Sequence, residues 1–259
     1  MHTTTSKDGT VLAYDVYGAG PALIYITGAS CFRRFAPVVH DARTFSKEFT
    51  VYHYDRRGRG DSGDVQPWSV EREVEDIEAL IDAAGGKACL YGHSSGAVLA
   101  LEASLRLGDK VQKAVLFDAS YVHDKASQAE YARLRERIGR LLKDGKNAAA
   151  MKGFLRGIGM PGVFVTLLPL FPGWRTMKAL APTLAYDMAL TSDLPPVERA
   201  AALRVPLHIV VGQKSPVELH HVAEQLARAI PDSRLTTLAG QDHLASAKAL
   251  LPLLVAFLK

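Results

Sequence analysis

Short, continuously apolar runs recur along the chain and alternate with stretches of helical periodicity. The clearest runs are Ala22–Ile26, Phe49–Tyr54, Ala88–Tyr91, Ala114–Phe117 and Leu207–Val211. Runs of this length without polar alternation are typical of strands that are buried on both faces of a parallel sheet. Because helical stretches separate the runs, the sequence predicts an α/β fold with a mostly parallel, doubly wound sheet.

Weaker patterns add two strands and three helices to this prediction. Thr10–Tyr17 is predicted as a strand that follows the turn pair Asp8-Gly9, and Leu235–Leu238 is a weaker strand candidate. Apolar residues at spacings of three and four predict helices in three places: Val70, Val74, Ile77 and Ile81; Val222, Leu226 and Ile230; and Leu250, Leu254 and Leu258.

One long segment interrupts the alternation of strands and helices. Between about Val122 and Val197 there is no convincing strand pattern, only helical periodicity followed by an irregular apolar tract with several Pro and Gly residues. The 259-residue chain is long for one average domain and short for two. We therefore expect residues 1–121 and 197–259 to form the core, and residues 122–196 to form a helical cap over one edge of the sheet.

The sequence Gly-His-Ser-Ser-Gly at 92–96 lies between a predicted strand and the helical run Ala97–Leu107. A sharp strand-to-helix turn places its central serine in a strained backbone conformation, with the hydroxyl projecting from the edge of the sheet. Side chains two residues before and after this serine would clash, which explains Gly92 and Gly96. The helix that follows offers free N–H groups to a developing negative charge. Ser94 is therefore the candidate nucleophile.

This motif and two other segments resemble the α/β-hydrolase family over nearly the whole chain outside the helical segment. Residues 92–96 are similar to that family's nucleophile elbow. Asp55–Ser62 is similar to its Asp-x-x-Gly-x-Gly-x-Ser loop, and Gly240–His243 is similar to its late Gly-x-x-His loop. The order of nucleophile, acid and histidine along the chain is also that of the family.

A serine hydroxyl becomes an effective nucleophile only when a base removes its proton. Of nine histidines, His243 is best placed, because it lies in a predicted loop between the last strand and the C-terminal helix. Loops that follow strand carboxyl ends meet at one rim of such a sheet, which would bring His243 to Ser94. We expect structural roles for His53 and His208, and a packing or supporting role for His93.

A carboxylate is needed to orient the histidine and to stabilise its protonated form. The family's usual acid position, three residues beyond Gly212, is occupied by Ser215, which carries no charge. The family's other acid position is the end of the preceding strand, and there the sequence has Asp118. We expect Asp118 to be the acid, with Glu218 and Asp242 as alternatives.

A tetrahedral intermediate also needs two N–H donors for its oxyanion. By resemblance to the family, these are the backbone N–H groups of Ser95 and of Ala29, which lies in the segment Thr27–Ser30. The family usually has His where Thr27 stands, but this change leaves the backbone donors in place. Cys31 is not expected to be a second nucleophile, because no base accompanies it in the sequence.

No cofactor or metal is predicted. Gly58–Gly63 matches the pattern Gly-x-Gly-x-x-Gly, but further residues intervene before the next helix, whereas a dinucleotide-binding turn opens a helix directly. Two cysteines are too few for a Cys-based metal centre and do not suggest a disulfide-stapled secreted fold. A net charge of +4 with scattered basic residues does not indicate a nucleic-acid partner. Without a secretory or membrane-spanning pattern, we expect a cytoplasmic protein with no membrane partner.

The predicted side chains together indicate acyl transfer to water. The leading hypothesis is a serine hydrolase that cleaves small to medium apolar esters or lactones through an acyl-enzyme intermediate. Two alternatives stay open: a C–C bond hydrolase of ring-fission products, and a binding protein of the same fold that has lost catalysis, which Ser215 would favour. Apolar residues of the cap either line an apolar pocket or pack the cap onto the core; they are Phe154, Met160, Phe164, Phe171, Trp174, Tyr186 and Met188.

Overall fold

The computed structural model describes residues 1–259 and contains one eight-stranded sheet. The strands are β1 (His2–Thr5), β2 (Val11–Tyr17), β3 (Ala22–Ile26), β4 (Thr50–Tyr54), β5 (Ala88–His93), β6 (Val111–Phe117), β7 (Leu207–Gly212) and β8 (Ser233–Leu238). Their order across the sheet is β1-β2-β4-β3-β5-β6-β7-β8. Strand β2 pairs antiparallel with β1 and β4, and all other neighbours are parallel. The predicted mostly parallel sheet is confirmed.

Helices α1, α2, α3, α10 and α11 cover the two faces of this sheet. In chain order, the helices are α1 (Ala36–Phe45), α2 (Val70–Ala83), α3 (Ser95–Leu107), α4 (Lys125–Lys143), α5 (Asn147–Gly157), α6 (Gly162–Leu167), α7 (Trp174–Ala179), α8 (Leu184–Leu190), α9 (Val197–Ala200), α10 (Val217–Ala229) and α11 (Ala247–Leu258). No helix combines the length and the apolarity that crossing a bilayer requires.

The core consists of two apolar layers, one on each side of the sheet. Alternate residues of a strand point to opposite faces, so Ile24 and Ile26 of β3 belong to the layer that also contains residues of α2, α3 and α10, whereas Leu23 and Tyr25 belong to the layer that contains residues of α1 and α11. All four side chains are at least 97% buried. Burial on both faces explains why the central strands have continuous apolar runs rather than alternating ones.

A helical segment lies between β6 and β7 and contains α4 to α9, with no strand. It has its own apolar cluster, which includes Ile138, Phe154, Leu184 and Met188, and Ala29 of the core packs against that cluster. The Ser30 hydroxyl donates to the Met151 sulfur at 3.4 Å. The segment therefore lies against the loop that follows β3, at the carboxyl rim of the sheet.

Outside the helical segment, the sequence patterns missed two elements, β1 and α1. Strand β1 is a polar edge strand, His-Thr-Thr-Thr, so no apolar run marks it; a turn with Gly9 at φ +89° joins it to β2. Helix α1 buries only Val38, Ala42, Thr44 and Phe45, and this sparse stripe contains one small residue and one polar residue.

The apolar residues that might have lined a pocket contribute mostly to packing within the helical segment. Phe154 and Met188 are buried in its own cluster, and Met160 and Trp174 pack against that cluster. Phe164 and Phe171 are 40% and 50% exposed. This arrangement agrees with the packing interpretation for these residues.

Candidate active site

Backbone strain is concentrated at one rim of the sheet. Ser30, Ser94 and Asp118 are the only non-glycine residues with positive φ, at 59°, 59° and 50°. They follow β3, β5 and β6, which are neighbours in the sheet, so all three lie at the carboxyl rim. Strained backbone of this kind persists only where the surrounding structure enforces it, and it is common at functional sites.

The turn at Ser94 is enforced by close backbone packing. A Cβ at Gly92 would lie 2.4 Å from the carbonyl oxygen of Gly96, and a Cβ at Gly96 would lie 2.2 Å from that of Ile26. The Ser94 N–H donates to the Phe117 carbonyl at 3.0 Å, and the Ala97 N–H donates to the Ser94 carbonyl at 3.0 Å. Strand β5 therefore passes into α3 without room for a side chain two residues before the serine or two residues after it.

Asp118 and His243 are brought together from positions 125 residues apart. Asp118 Oδ2 lies 3.0 Å from His243 Nδ1 and accepts the Ser215 hydroxyl at 2.6 Å, while Oδ1 accepts the Gly212 N–H at 3.0 Å. The Asp118 side chain is fully buried, and that of His243 is 32% exposed. Ser215, which occupies the family's usual acid position, thus holds the carboxylate of the neighbouring strand.

The two alternative acids lie elsewhere. Asp242 accepts the N–H of Leu244 at 2.9 Å and is exposed, so it caps its own loop. Glu218 is an exposed residue in the first turn of α10. Neither carboxylate contacts the His243 ring.

His93 supports the loop that carries His243. Its Nε2 lies 2.8 Å from the His243 carbonyl oxygen, and because a carbonyl can only accept, Nε2 carries the proton and donates. Burial, and next the proximity of His243, lower the pKa of His93 to about 4, so its ring is neutral at pH 7. The sequence-based expectation of a supporting role for His93 agrees with this contact.

The Ser94 hydroxyl has a partner that the sequence did not indicate. Ser94 Oγ lies 3.1 Å from Ser120 Oγ, and Ser120 also donates to the Asp118 carbonyl at 3.2 Å. Ser94 Oγ makes no hydrogen bond to the His243 ring in this conformation. Catalytic hydrogen bonds often shorten only in the complex with substrate, so the contact with Ser120 describes the orientation of the candidate nucleophile without substrate.

Both candidate oxyanion donors lie beside Ser94. A Cβ on Gly28 would be 3.0 Å from Ser94 Cβ and 3.5 Å from Ser94 Oγ, so the loop after β3 touches the nucleophile. The Ala29 N–H, next in that loop, donates no hydrogen bond within the chain. Ser95 is the first residue of α3, where N–H groups have no acceptor inside the helix.

Buried charges lie directly beneath these donors. Arg56, Arg59, Glu73 and Asp187 are each at most 2% exposed in their side chains. The sequence placed the two arginines in a loop but gave no sign that they are buried, nor that Asp187 of α8 meets them. The segment Asp55–Asp61 has five charged residues and two glycines, a composition typical of an exposed loop, and only tertiary structure reveals the partners of its arginines.

Other residues singled out by the sequence lie apart from this chemistry. His208 Nε2 bonds Thr236 Oγ1 at 2.9 Å, and His53 is fully buried. Burial raises the pKa of the Cys31 thiol to about 11, which leaves it protonated at pH 7. No cluster of His, Cys, Asp and Glu side chains has the arrangement of a metal site.

Comparison with known proteins shows similarity over most of the chain. A model of the alpha/beta hydrolase family matches residues 18–251. The crystal structure of an alpha/beta hydrolase from Sphaerobacter thermophilus has 37% sequence identity and a TM-score of 0.89, and the match covers 100% of both chains.

Two curated proteins are also similar in sequence. A 2-(acetamidomethylene)succinate hydrolase from Mesorhizobium japonicum is 28% identical over 87% of this chain and 82% of its own length. The polyketide synthase ThaQ from Burkholderia thailandensis is 29% identical over 93% of this chain. The chain spans only 12% of the length of that synthase.

Proposed function

The chain belongs to the alpha/beta hydrolase family, and from this premise we propose that it cleaves carboxylic esters by nucleophilic catalysis at Ser94. The observation that carries the proposal is the pairing of Asp118 with His243 at 3.0 Å, at the rim where Ser94 is held in a strained turn. Nucleophile, base and orienting acid have separate origins in the chain, and each residue type matches the role it is given.

In the proposed acylation step, Ser94 Oγ attacks the ester carbonyl carbon and its proton moves to His243 Nε2. Asp118 accepts the hydrogen bond from Nδ1–H, which fixes the tautomer that leaves Nε2 free to act as a base. The resulting imidazolium is stabilised by the same buried carboxylate. His243 then protonates the departing alkoxide, and the acyl group stays on Ser94.

In the proposed deacylation step, a water molecule attacks the acyl-enzyme and gives its proton to His243. Each tetrahedral intermediate places an oxyanion near the N–H groups of Ala29 and Ser95, which stabilise it by hydrogen bonding. Collapse of the second intermediate releases the carboxylic acid, and the proton on His243 returns to Ser94. The carboxylic acid and the alcohol are the products, and the enzyme is regenerated.

We propose uncharged apolar acyl esters or lactones as the substrates. The guanidinium groups of Arg56 and Arg59 near the site are already paired with Glu73 and Asp187. A dicarboxylate, such as the succinate derivative named for the relative from Mesorhizobium, would need free cations at the site. The paired arginines favour a neutral substrate in this chain.

In the sequence alone, the uncharged Ser215 at the family's usual acid position favours an inactive binding protein. The Ser215 hydroxyl instead donates to Asp118, so the position supports a relocated acid. This contact favours the enzyme over the inactive alternative.

The test is hydrolysis of p-nitrophenyl acetate and butyrate by the wild-type protein and by Ser94→Ala. We expect the wild type to release p-nitrophenol and Ser94→Ala to lose most of this activity. Equal rates for the two proteins would remove Ser94 from the mechanism. Cleavage of a ring-fission dienoate together with failure to cleave any ester would favour the C–C hydrolase instead.

A further inference from the structure

A buried ionic network joins the helical segment to the core directly beneath the candidate oxyanion donors. Asp187 of α8 accepts from Arg59 Nη2 at 2.7 Å through Oδ2. Its Oδ1 accepts from Arg56 Nη1 and from the Ser95 hydroxyl, both at 2.8 Å. Arg56 also forms two hydrogen bonds of 2.7 Å to Glu73. Two cations therefore face two anions in a region closed to solvent.

One arm of this network ends on the peptide group that carries the first donor. Arg59 Nη1 donates to the Gly28 carbonyl oxygen at 2.7 Å. That carbonyl and the Ala29 N–H belong to the same planar peptide unit. A guanidinium on the carbonyl side therefore fixes the direction of the N–H, and it polarises the unit so that the N–H becomes a stronger donor.

The other arm ends on the residue that carries the second donor. The Ser95 hydroxyl donates to Asp187, and the Ser95 N–H is the proposed donor at the start of α3. One carboxylate from the helical segment thus makes contact with Ser95 directly and with the Gly28–Ala29 peptide through Arg59. The side chain of Asp187 is the single point where the two arms meet.

The network is consistent with a permanently charged carboxylate. Burial alone would raise the pKa of Asp187, but the charges of Arg59 and Arg56 outweigh that effect and hold it below its usual range. Buried ion pairs contribute little net stability compared with apolar packing of the same volume. Stability alone therefore does not explain the network, and its position beside the two donors points to a role in fixing their geometry.

We propose that Asp187 and Arg59 are positioning residues that orient both oxyanion donors, so that contact of α8 with the core completes the catalytic site. This inference rests on the proposed function. It predicts that the network acts on the transition state, because the oxyanion forms only there. The loss on breaking it should therefore appear in kcat and not in KM.

The chain offers a matched control in the adjacent arginine. Arg57 is fully buried and forms two hydrogen bonds, of 2.7 and 2.8 Å, to the buried carboxylate of Asp76. It lies in the same loop as Arg56 and Arg59, but its partners are Asp76, Asp8 and backbone carbonyls away from the oxyanion loop. Asp76→Asn therefore weakens a buried ion pair of the same type without touching either donor.

The experiment compares Asp187→Asn, Arg59→Lys and Ser95→Ala with Asp76→Asn, using ester hydrolysis and binding of a trifluoromethyl ketone. The ketone forms a tetrahedral adduct with an active serine and so reports on the oxyanion site without turnover. We expect Asp187→Asn to lower kcat about 10- to 100-fold, less than or comparable to removal of a donor outright. Its KM should change less than about threefold, and its affinity for the ketone should fall in parallel with kcat.

Ser95→Ala tests the positioning role without breaking the buried ion pairs, because it removes only one hydroxyl. A loss of activity in this variant is therefore not explained by misfolding of the network. We expect it to lower kcat about 3- to 10-fold, and the double variant with Asp187→Asn to be no slower than Asp187→Asn alone. Asp76→Asn should lower the melting temperature while keeping kcat and ketone affinity within about twofold of wild type.

Equal kcat and ketone affinity in wild type, Asp187→Asn and Ser95→Ala would overturn the positioning role and leave the network a structural one. The same follows if Asp76→Asn lowers kcat as much as Asp187→Asn does. If the wild type neither hydrolyses esters nor forms the ketone adduct, the proposed function fails, and this inference fails with it.

Discussion

The two rims of the sheet differ in their surface shape, their backbone strain and their buried polar groups. The amino rim of β5, β6 and β7 has a groove of about 830 Å³, bordered by basic side chains such as Lys87, Arg106 and Arg204. The carboxyl rim has all three strained non-glycine residues and the buried Asp118–His243 pair. We assign the candidate site to the carboxyl rim because strained backbone and buried polar groups with specific partners both cost free energy and need a compensating role.

The largest expected effect separates Asp118, the candidate acid, from Ser215, which occupies the family's usual acid position. Asp118→Asn should lower kcat by about 10⁴-fold, because an amide does not stabilise the protonated histidine and favours the wrong tautomer. Ser215→Ala, which removes one hydrogen bond to the carboxylate, should cost less than about tenfold. Steady-state kinetics on p-nitrophenyl butyrate measures both. A larger loss in Ser215→Ala would mean that Asp118 is not the acid.

A second prediction concerns a buried group outside the carboxyl rim, His53. Neither ring nitrogen of His53 has a hydrogen-bond partner, and burial lowers its pKa from 6.5 to about 4. Between these pH values the unfolded chain binds a proton at this residue and the folded chain does not, so stability falls as pH falls through this window. The contribution is on the order of 3 kcal/mol, since each pKa unit corresponds to about 1.4 kcal/mol.

Urea unfolding of wild type and His53→Phe at pH 7 and pH 4.5 tests this prediction. The aromatic replacement keeps the stacking against Tyr17, whose ring centroid lies 5.0 Å away. We expect the variant to lose distinctly less stability on acidification than the wild type does. An identical loss in both proteins would show that His53 does not contribute to the loss of stability on acidification.

A smaller effect is expected at His93, which supports the loop that carries His243. His93→Phe removes the donor to the His243 carbonyl and should lower kcat about tenfold by loosening the base, since small displacements of catalytic groups are costly. His93→Gln provides an N–H at similar reach and should recover part of this loss. Thermal unfolding of both variants is the control, because a loss that only follows global stability would argue against a positioning role.

The smallest effect is expected at the amino rim. Lys87→Ala and Arg204→Ala change the border of the large groove without touching the carboxyl rim. Both variants should keep kcat and KM within about twofold of wild type, as surface substitutions far from a site usually do. A tenfold change in KM for an ester would place substrate at this groove and reverse the comparison between the rims.

The sequence predicted the central strands well, because burial on both faces leaves a direct trace in continuous apolar runs. It missed β1 and α1, whose stability depends on partners rather than on their own pattern. It also predicted that Ser94 and Asp118 follow neighbouring strands and that His243 lies near them, since strand ends in a parallel sheet converge at one rim. The catalytic roles of these residues stay predictions until the variants are measured.

By itself, the sequence determined where the chain turns sharply at Ser94, because the motif and the strand and helix patterns beside it are local. Glycine at 92 is required within the turn, whereas glycine at 96 is required by the Ile26 carbonyl of β3. Only tertiary structure decided that Ser215 donates to Asp118, that His93 holds the His243 carbonyl, and that Asp187 meets the buried arginines. The reason is that each of these contacts joins residues at least 90 positions apart. Their partners are set by which strands and helices pack side by side, and no local pattern of residues encodes that choice.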